Sequence, residues 1–244
     1  MNVCKTACLL AAAISVILAA RPPQTVRTID PKKDKVCNES WFQKRRPDKR
    51  PFMVTIAYAV LPTAMYIYLM HVAGSGSIYD DPAFMQLREL KTWHLVLTAL
   101  SVGGSVLRRW SYSTLDQFFT YQLAIRPGHR LVKTGPYTYL RHPSYTGAFF
   151  CIGAALSSML LRGLPEVAIH LLSVAIARVT QTRFHVPTSI AAWVSGGIWA
   201  YLMAKGISLM MSRIPVEEDM LKEHFGEEWD TFASKRWRLV PLIY

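Results

Sequence analysis

Apolar runs alternate with short polar, mostly basic segments along this chain. Residues 52–73 form the clearest run, with the roughly 20 residues a helix needs to cross a bilayer. Further runs follow at 92–107, 144–161 and 187–211, and a shorter one of 14 residues occupies 7–20. This first run reads as a retained span rather than a signal-peptide core, because a strongly basic loop follows it. That loop, 21–51, carries ten Lys or Arg against four acids, which places it on the cytosolic side. Residues 74–91 hold Asp80, Asp81 and Glu89 and fit the lumenal side. Arg108 and Arg109 mark the next cytosolic end. The count is five spans with the N-terminus in the lumen, and loops 21–51 and 108–142 then share the cytosolic face.

Three shorter elements complete the pattern. Leu115, Phe118, Phe119 and Gln122 recur at helical spacing, so 112–125 reads as an amphipathic, interfacial or partly buried helix. Residues 164–181 mix Val167, Ile169, Leu171 and Leu172 with Glu166, His170 and Arg178. They are expected to form an interfacial helix rather than a span, since the polar segments flanking 144–211 need an even number of crossings to meet. Beyond Arg213 lies a charged soluble tail, with a helix over 217–228 ended or kinked at Gly226. Pro62 is expected to kink the second span. The fold class is therefore all-α integral membrane, with about five transmembrane helices plus interfacial helices.

Composition sharpens this picture in one respect. The chain is 51% hydrophobic, 18% charged and has a positive mean hydropathy, as a membrane-embedded chain does. Its net charge of +12 would suggest nucleic acid in a soluble protein. Here the basic residues lie between apolar runs, where they set orientation and attract anionic lipid, so no nucleic-acid partner is expected. Cys4, Cys8, Cys37 and Cys151 show no metal-ligand spacing and no disulfide framework, and no metal is expected. The absence of a GxGxxG after a strand excludes a Rossmann cofactor domain.

Two polar stretches interrupt the apolar design. Residues 129–147, HRLVKTGPYTYLRHPSYTG, are rich in His, Arg and Tyr, and Gly135-Pro136 and His142-Pro143 break regular structure. Such backbone beside membrane-length runs is tolerated only where protein covers it or water reaches it, so it reads as a pocket. Residues 213–229, RIPVEEDMLKEHFGEEW, supply acids. Taken singly, each residue has a plainer reading. Arg130 and Arg141 suit interfacial anchors. Glu217 and Glu218 suit pairing with the basic loops, and His224, Trp229 and Trp237 suit tail packing or the membrane interface.

At these two stretches the chain resembles the isoprenylcysteine carboxyl methyltransferases, part of a wider group of small membrane methyltransferases that includes phospholipid N-methyltransferases. The first stretch matches the family's His-x-Leu-Val, Gly-x-Tyr and Arg-His-Pro-x-Tyr-x-Gly. The second matches its Arg-Ile, Glu-Glu and Phe-Gly, followed by aromatics and a late Pro. The likeness covers about 107–244. It implies an N-terminal transmembrane region, 1–107, with a basic cytosolic loop, and a catalytic region, 108–244, with a cofactor pocket on the cytosolic side of the endoplasmic reticulum membrane. The implied reaction is S-adenosylmethionine-dependent methylation of the C-terminal carboxylate of a prenylated cysteine in a substrate protein. Gln122, His129, Arg130, Leu131, Val132, Tyr137, His142, Pro143, Ser144, Tyr145 and Glu217 fall on the family's cofactor positions. Arg213 falls on the position that holds the carboxylate.

The chemistry suits those residue types. Aromatic rings attract a sulfonium, and a carboxylate such as Glu217 accepts bonds from an amine or hydroxyls. A C-terminal carboxylate has a pKa of about 3.5 and is already ionised at neutral pH, so no general base is needed. A planar guanidinium at Arg213 suits carboxylate placement. Phospholipid N-methylation is the alternative within the group, and its amine acceptor must first lose a proton. Sterol reduction and a non-catalytic membrane scaffold are the alternatives from other classes.

Overall fold

The computed structural model describes residues 3–21, 35–36, 50–72, 82–120, 123–161, 163–182 and 186–241. Its helices are α1 (Val3–Ala20), α2 (Arg50–Val72), α3 (Pro82–Arg88), α4 (Thr92–Leu115), α5 (Pro143–Leu160), α6 (Leu164–Thr180), α7 (Thr188–Phe225) and α8 (Glu227–Ser234). Two short strands, β1 (Lys35–Val36) and β2 (Ala124–Ile125), pair antiparallel. Among the described residues, three helical stretches are long and apolar enough to cross a membrane: Val3–Ala20, Pro143–Thr180 and Thr188–Phe225. Helices α2 and α4 stand where two further spans were expected. Helix α2 is 23 residues long with Pro62 inside it, and α4 interleaves Thr, Ser, Gly and His with its apolar residues.

Close backbone contact between α4 and α5 organises the packing. Ser101 Oγ donates to the Cys151 carbonyl at 3.0 Å, and Arg108 Nη1 donates to the Ser144 carbonyl at 2.8 Å. Between these contacts Gly104 faces Gly147. A Cβ on Gly104 would lie 2.6 Å from the Gly147 carbonyl oxygen, and the converse distance is also 2.6 Å. Neither position admits a side chain without moving a helix. The neighbouring Gly103 faces open space: a Cβ there would meet nothing within 4 Å. Contacts that pair rising with falling residue numbers make α4 and α5 antiparallel. Helix α7 runs antiparallel to α5 by the same rule: Trp199 Nε1 donates to Ser157 Oγ at 2.9 Å, and Ser195 Oγ bonds the Leu160 carbonyl.

Helix α1 runs parallel to α4. Lys5 Nζ donates to the Glu89 carbonyl at 2.9 Å just before α4 starts, and Arg108 Nε donates to the Ala19 carbonyl at 2.9 Å near its end. The C-terminal ends of α1, α4 and α7 therefore gather with the start of α5. At the other end, Leu9, Tyr66, Met70, Phe84, Leu87 and Val167 form a buried apolar cluster that joins α1, α2, α3 and α6.

The expected amphipathic helix over 112–125 is not formed. Helix α4 runs on to Leu115 and stops at Asp116, whose φ of +46° and ψ of −118° lie far from the helical region. A 3-10 turn, Asp116–Phe118, and β2 follow, so the aromatic residues form a wall rather than a helical face. The expected break between a span ending at 211 and a soluble tail is also absent. Helix α7 is continuous for 38 residues with Pro215 inside it, and it ends at Gly226 as expected, with φ +55°. Pro215 removes one backbone donor, a loss that the flanking turns carry without a break. Pro62 likewise lies within a continuous α2.

Candidate active site

Local sequence dictates the shape of the 129–147 stretch. Gly135 adopts φ +58° and opens a 3-10 turn, Gly135–Thr138. A Cβ there would also lie 3.0 Å from Thr114 Oγ1 and 3.2 Å from Trp110 Nε1 of α4, so both conformation and space call for glycine. His142 caps α5, and Pro143 takes the first helical position, where a missing N–H costs nothing. The C-terminal segment then zips onto this stretch. Arg141 N donates to the Trp237 carbonyl at 2.8 Å, His142 N to the Arg238 carbonyl at 3.1 Å, and Trp237 N to the Tyr139 carbonyl at 3.2 Å. Thr146 Oγ1 reaches the Leu239 carbonyl at 2.7 Å, and Arg236 Nε reaches the Tyr137 carbonyl at 2.7 Å.

A charged cluster sits where the two stretches meet. His142 is 3% exposed; its Nε2 lies 3.1 Å from Glu218 Oε1 and its Nδ1 lies 3.5 Å from Glu217 Oε1. The Tyr145 hydroxyl donates to Glu217 Oε2 at 2.7 Å. Glu218 also accepts from Arg141 Nη1 at 3.3 Å and Arg238 Nε at 3.1 Å. Burial works against a charged His142, but the hydrogen bonds and charges of Glu217 and Glu218 prevail and raise its pKa.

Beside this cluster lies a cavity of about 240 Å³. Of the residues singled out from the sequence, His129, Leu131, Val132, Tyr137, His142, Ser144, Tyr145, Arg213 and Glu217 line it. Pro143 is fully buried and shapes the start of α5 without lining the cavity. Arg130 is exposed and is not part of the lining. Gln122 lies outside the described residues.

The lining also includes residues that sequence reasoning had not assigned to the site. Met220 and Leu221 follow Glu217 by three and four positions, so they extend the Arg213–Glu217 face of α7, a signal that helical spacing contained. Arg108, expected as a topological marker, joins the wall through its bond to Ser144. Trp229, expected in tail packing, is 4% exposed and both packs with Phe232 and lines the cavity. Glu218, whose plainer reading was pairing with basic side chains, does pair with Arg141 and Arg238.

His129 occupies an aromatic setting. Its ring stacks on Phe118 with centroids 4.8 Å apart and meets Phe225 edge-on at 5.7 Å. Burial, reinforced by the charges of His224 and Arg126, pulls its pKa down to about 4, so the ring is neutral at neutral pH. Its Nδ1 is buried and has no hydrogen-bond partner among the described residues. Tyr137 keeps its hydroxyl proton, because burial and then Glu217 raise its pKa well above the usual value. Among the described residues, no group of three or more His, Cys, Asp or Glu is placed to hold a metal ion. The arrangement offers a neutral imidazole at His129, phenol hydroxyls, aromatic faces, the carboxylate of Glu217 and the guanidinium groups of Arg108, Arg141 and Arg213 around one cavity.

A protein-family model, the isoprenylcysteine carboxyl methyltransferase (ICMT) family, matches residues 96–188. That match contains the first motif stretch and ends before Arg213 and Glu217. A probable protein-S-isoprenylcysteine O-methyltransferase of Oryza sativa subsp. indica is 24% identical over 189 residues, 77% of this chain and 81% of the relative. Protein-S-isoprenylcysteine O-methyltransferase B of Arabidopsis thaliana is 27% identical over 143 residues, 57% of this chain and 55% of the relative. An uncharacterized protein of Bacillus subtilis, YpbQ, is 29% identical over 80 residues, 33% of this chain and 47% of its own length. The chain thus spans about half the length of the Bacillus and Arabidopsis relatives and four-fifths of the rice one. The resemblance drawn from the two motif stretches is met by these matches.

Proposed function

We propose that this chain, similar to the isoprenylcysteine carboxyl methyltransferase family, is a membrane enzyme that moves a methyl group from S-adenosylmethionine to the C-terminal carboxylate of a prenylated cysteine. The observation that carries this reading is convergence. Arg213 and Glu217 come from one stretch, and His129, Tyr137 and Tyr145 from another more than 60 residues earlier, yet all five line one cavity.

The cavity fits a cofactor of that chemistry. The buried, unpartnered Nδ1 of His129 is a polar atom waiting for a ligand, since leaving it unpaired costs about 1–3 kcal/mol. Phe118, His129 and Tyr137 offer faces to a cation. When bound, S-adenosylmethionine supplies an electrophilic methyl on a sulfonium. Glu217, held by the Tyr145 hydroxyl, presents a carboxylate for an amine or hydroxyls. Arg213 stands one helical turn away and orients the acceptor carboxylate through a two-pronged contact. Because that carboxylate is already ionised, the protein has placement and water exclusion to provide rather than proton transfer. An amine acceptor would need a base to remove its proton, whereas a carboxylate needs none, and the rice and Arabidopsis relatives are named as isoprenylcysteine O-methyltransferases. Carboxyl transfer is therefore preferred over phospholipid N-methylation.

In this reading the protein spans the membrane five times, with the cavity at the cytosolic face of the endoplasmic reticulum. The common end of α1, α4 and α7 and the pairing of β1 from the basic loop with β2 support one shared face. The deciding experiment offers membranes radiolabelled S-adenosylmethionine with a prenylcysteine analogue and an aminophospholipid as competing acceptors. Base-labile label on the prenylcysteine is the expected result. Label confined to the phospholipid would replace this reading with N-methylation, and label on neither would favour a scaffold.

A further inference from the structure

The two adjacent glutamates of α7 face different environments. Successive residues on a helix point about 100° apart, so Glu217 meets the cavity while Glu218 turns toward the 137–142 stretch and the C-terminal segment. Glu218 is 8% exposed and outside the cavity lining. It pairs with three basic side chains on two segments: Arg141 Nη1 at 3.3 Å and His142 Nε2 at 3.1 Å from one, and Arg238 Nε at 3.1 Å from the other. A carboxylate has about four acceptor positions, so this one is close to saturated. The imidazole it holds turns its other nitrogen to Glu217 at 3.5 Å, and Glu217 in turn holds the Tyr145 hydroxyl.

We infer that Glu218 is a positioning residue: locked by Arg141 and Arg238, it fixes the His142 ring against which Glu217 is presented to the cofactor. The inference rests on the cofactor reading of the cavity proposed above. A bond at one imidazole nitrogen fixes the plane of the ring and so where the other nitrogen points, and through it Glu218 determines how Glu217 is met. Arg238 provides a second handle. It lies outside the cavity lining, and its guanidinium bonds Glu218. The plainer role for the same contacts is a staple that fastens the C-terminal segment.

The test uses the full-length protein in micelles and the variants Glu218→Gln, Arg238→Met and Arg238→Lys. Three quantities are measured: S-adenosylmethionine affinity by calorimetry, His142 titration by ¹⁵N NMR, and unfolding temperature. His142 is faced by Glu217 and Glu218 from α7, Tyr145 from α5, and the flanking Arg141 and Arg238, while Arg213 acts on Glu217. Loss of the Glu218 charge therefore leaves one carboxylate beside the ring. The expected result is that Glu218→Gln and Arg238→Met weaken cofactor affinity about tenfold, with Arg238→Lys recovering part of that loss, and that Glu218→Gln moves the His142 titration to lower pH. Lower unfolding temperatures with unchanged affinity and His142 titration would overturn the inference and leave a staple. Should Glu218→Gln not fold, the Arg238 pair decides by cofactor affinity set against unfolding temperature. A wild-type protein that binds no S-adenosylmethionine while Glu218→Gln still shifts His142 would sink the cofactor reading and keep the positioning of His142 by Glu218.

Discussion

Arg213 and Glu217 stand one turn apart on α7 and line the same cavity, yet their replacements have different expected outcomes. Glu217→Gln removes a charge-assisted hydrogen bond of roughly 1.5–3 kcal/mol, so calorimetry should find cofactor affinity lower by an order of magnitude or more. Arg213→Lys keeps the charge and loses the fork. Its expected effect is on turnover, on the order of 100-fold for a misplacement of about 1 Å, with cofactor affinity near normal. Near-normal turnover in the Lys variant would remove Arg213 from the reaction. A third outcome concerns pH. The folded-state pKa of His142 is raised above its unfolded value of about 6.5, so its pairing with Glu217 and Glu218 stabilises fully below that pH. The contribution is lost as pH rises through the folded-state value. The gap in unfolding temperature between wild type and His142→Gln should therefore be wide at pH 6 and shrink toward pH 10. At this scale the sequence was informative where spacing alone assigns a face, as for Arg213 and Glu217. Spacing alone could not separate Glu217 from Glu218, because two neighbouring acids look alike until the helix has a partner on each side; the resemblance alone singled out Glu217. Nor did spacing announce that Arg130 would be exposed beside residues that line the cavity.

Between elements, the crossing of α4 over α5 makes the sharpest demand. Gly147→Ala puts a methyl 2.6 Å from the Gly104 carbonyl oxygen, and the resulting overpacking should cost about 1–3 kcal/mol. Gly103→Ala sits one position from the crossing in open space, and it should be neutral or stabilise by up to about 1 kcal/mol through helix propensity. Thermal unfolding of both variants in one detergent compares them directly, and equal midpoints would dismiss the close approach. The existence of most helices was legible in the apolar runs, because burial and lipid exposure both favour the same residues. Boundaries were less so. Nothing in the spacing of Leu115, Phe118 and Phe119 announces that Asp116 leaves the helical region, and the 112–125 helix was lost to that one residue. The charges after Met211 suggested a tail, yet turn-by-turn hydrogen bonding continues through them to Gly226.

For the molecule as a whole, the pairing of β1 with β2 joins the basic loop to the edge of the cavity. Cysteines introduced at Lys35 and Arg109 should therefore react with an impermeant reagent from the same face of sealed membranes, and labelling from opposite faces would overturn the topology. Positive charge in 21–51 and 108–142 had already suggested a shared face, but only the strand pairing brings them into contact. Helix α7 carries a further consequence. At 1.5 Å per residue its 38 residues form a rod about 57 Å long, and both its most apolar stretch and Glu217 belong to it. A bilayer thinner or thicker than that apolar stretch must tilt the rod or deform around it. Either response is transmitted along an unbroken helix to a carboxylate that must meet its ligand within ångströms. Acyl-chain length thus becomes an input to cofactor affinity. Vesicles made with lipids of stepped chain length should give a KM for S-adenosylmethionine that passes through a minimum, so that lipid thickness acts on this protein as an effector with no binding site of its own.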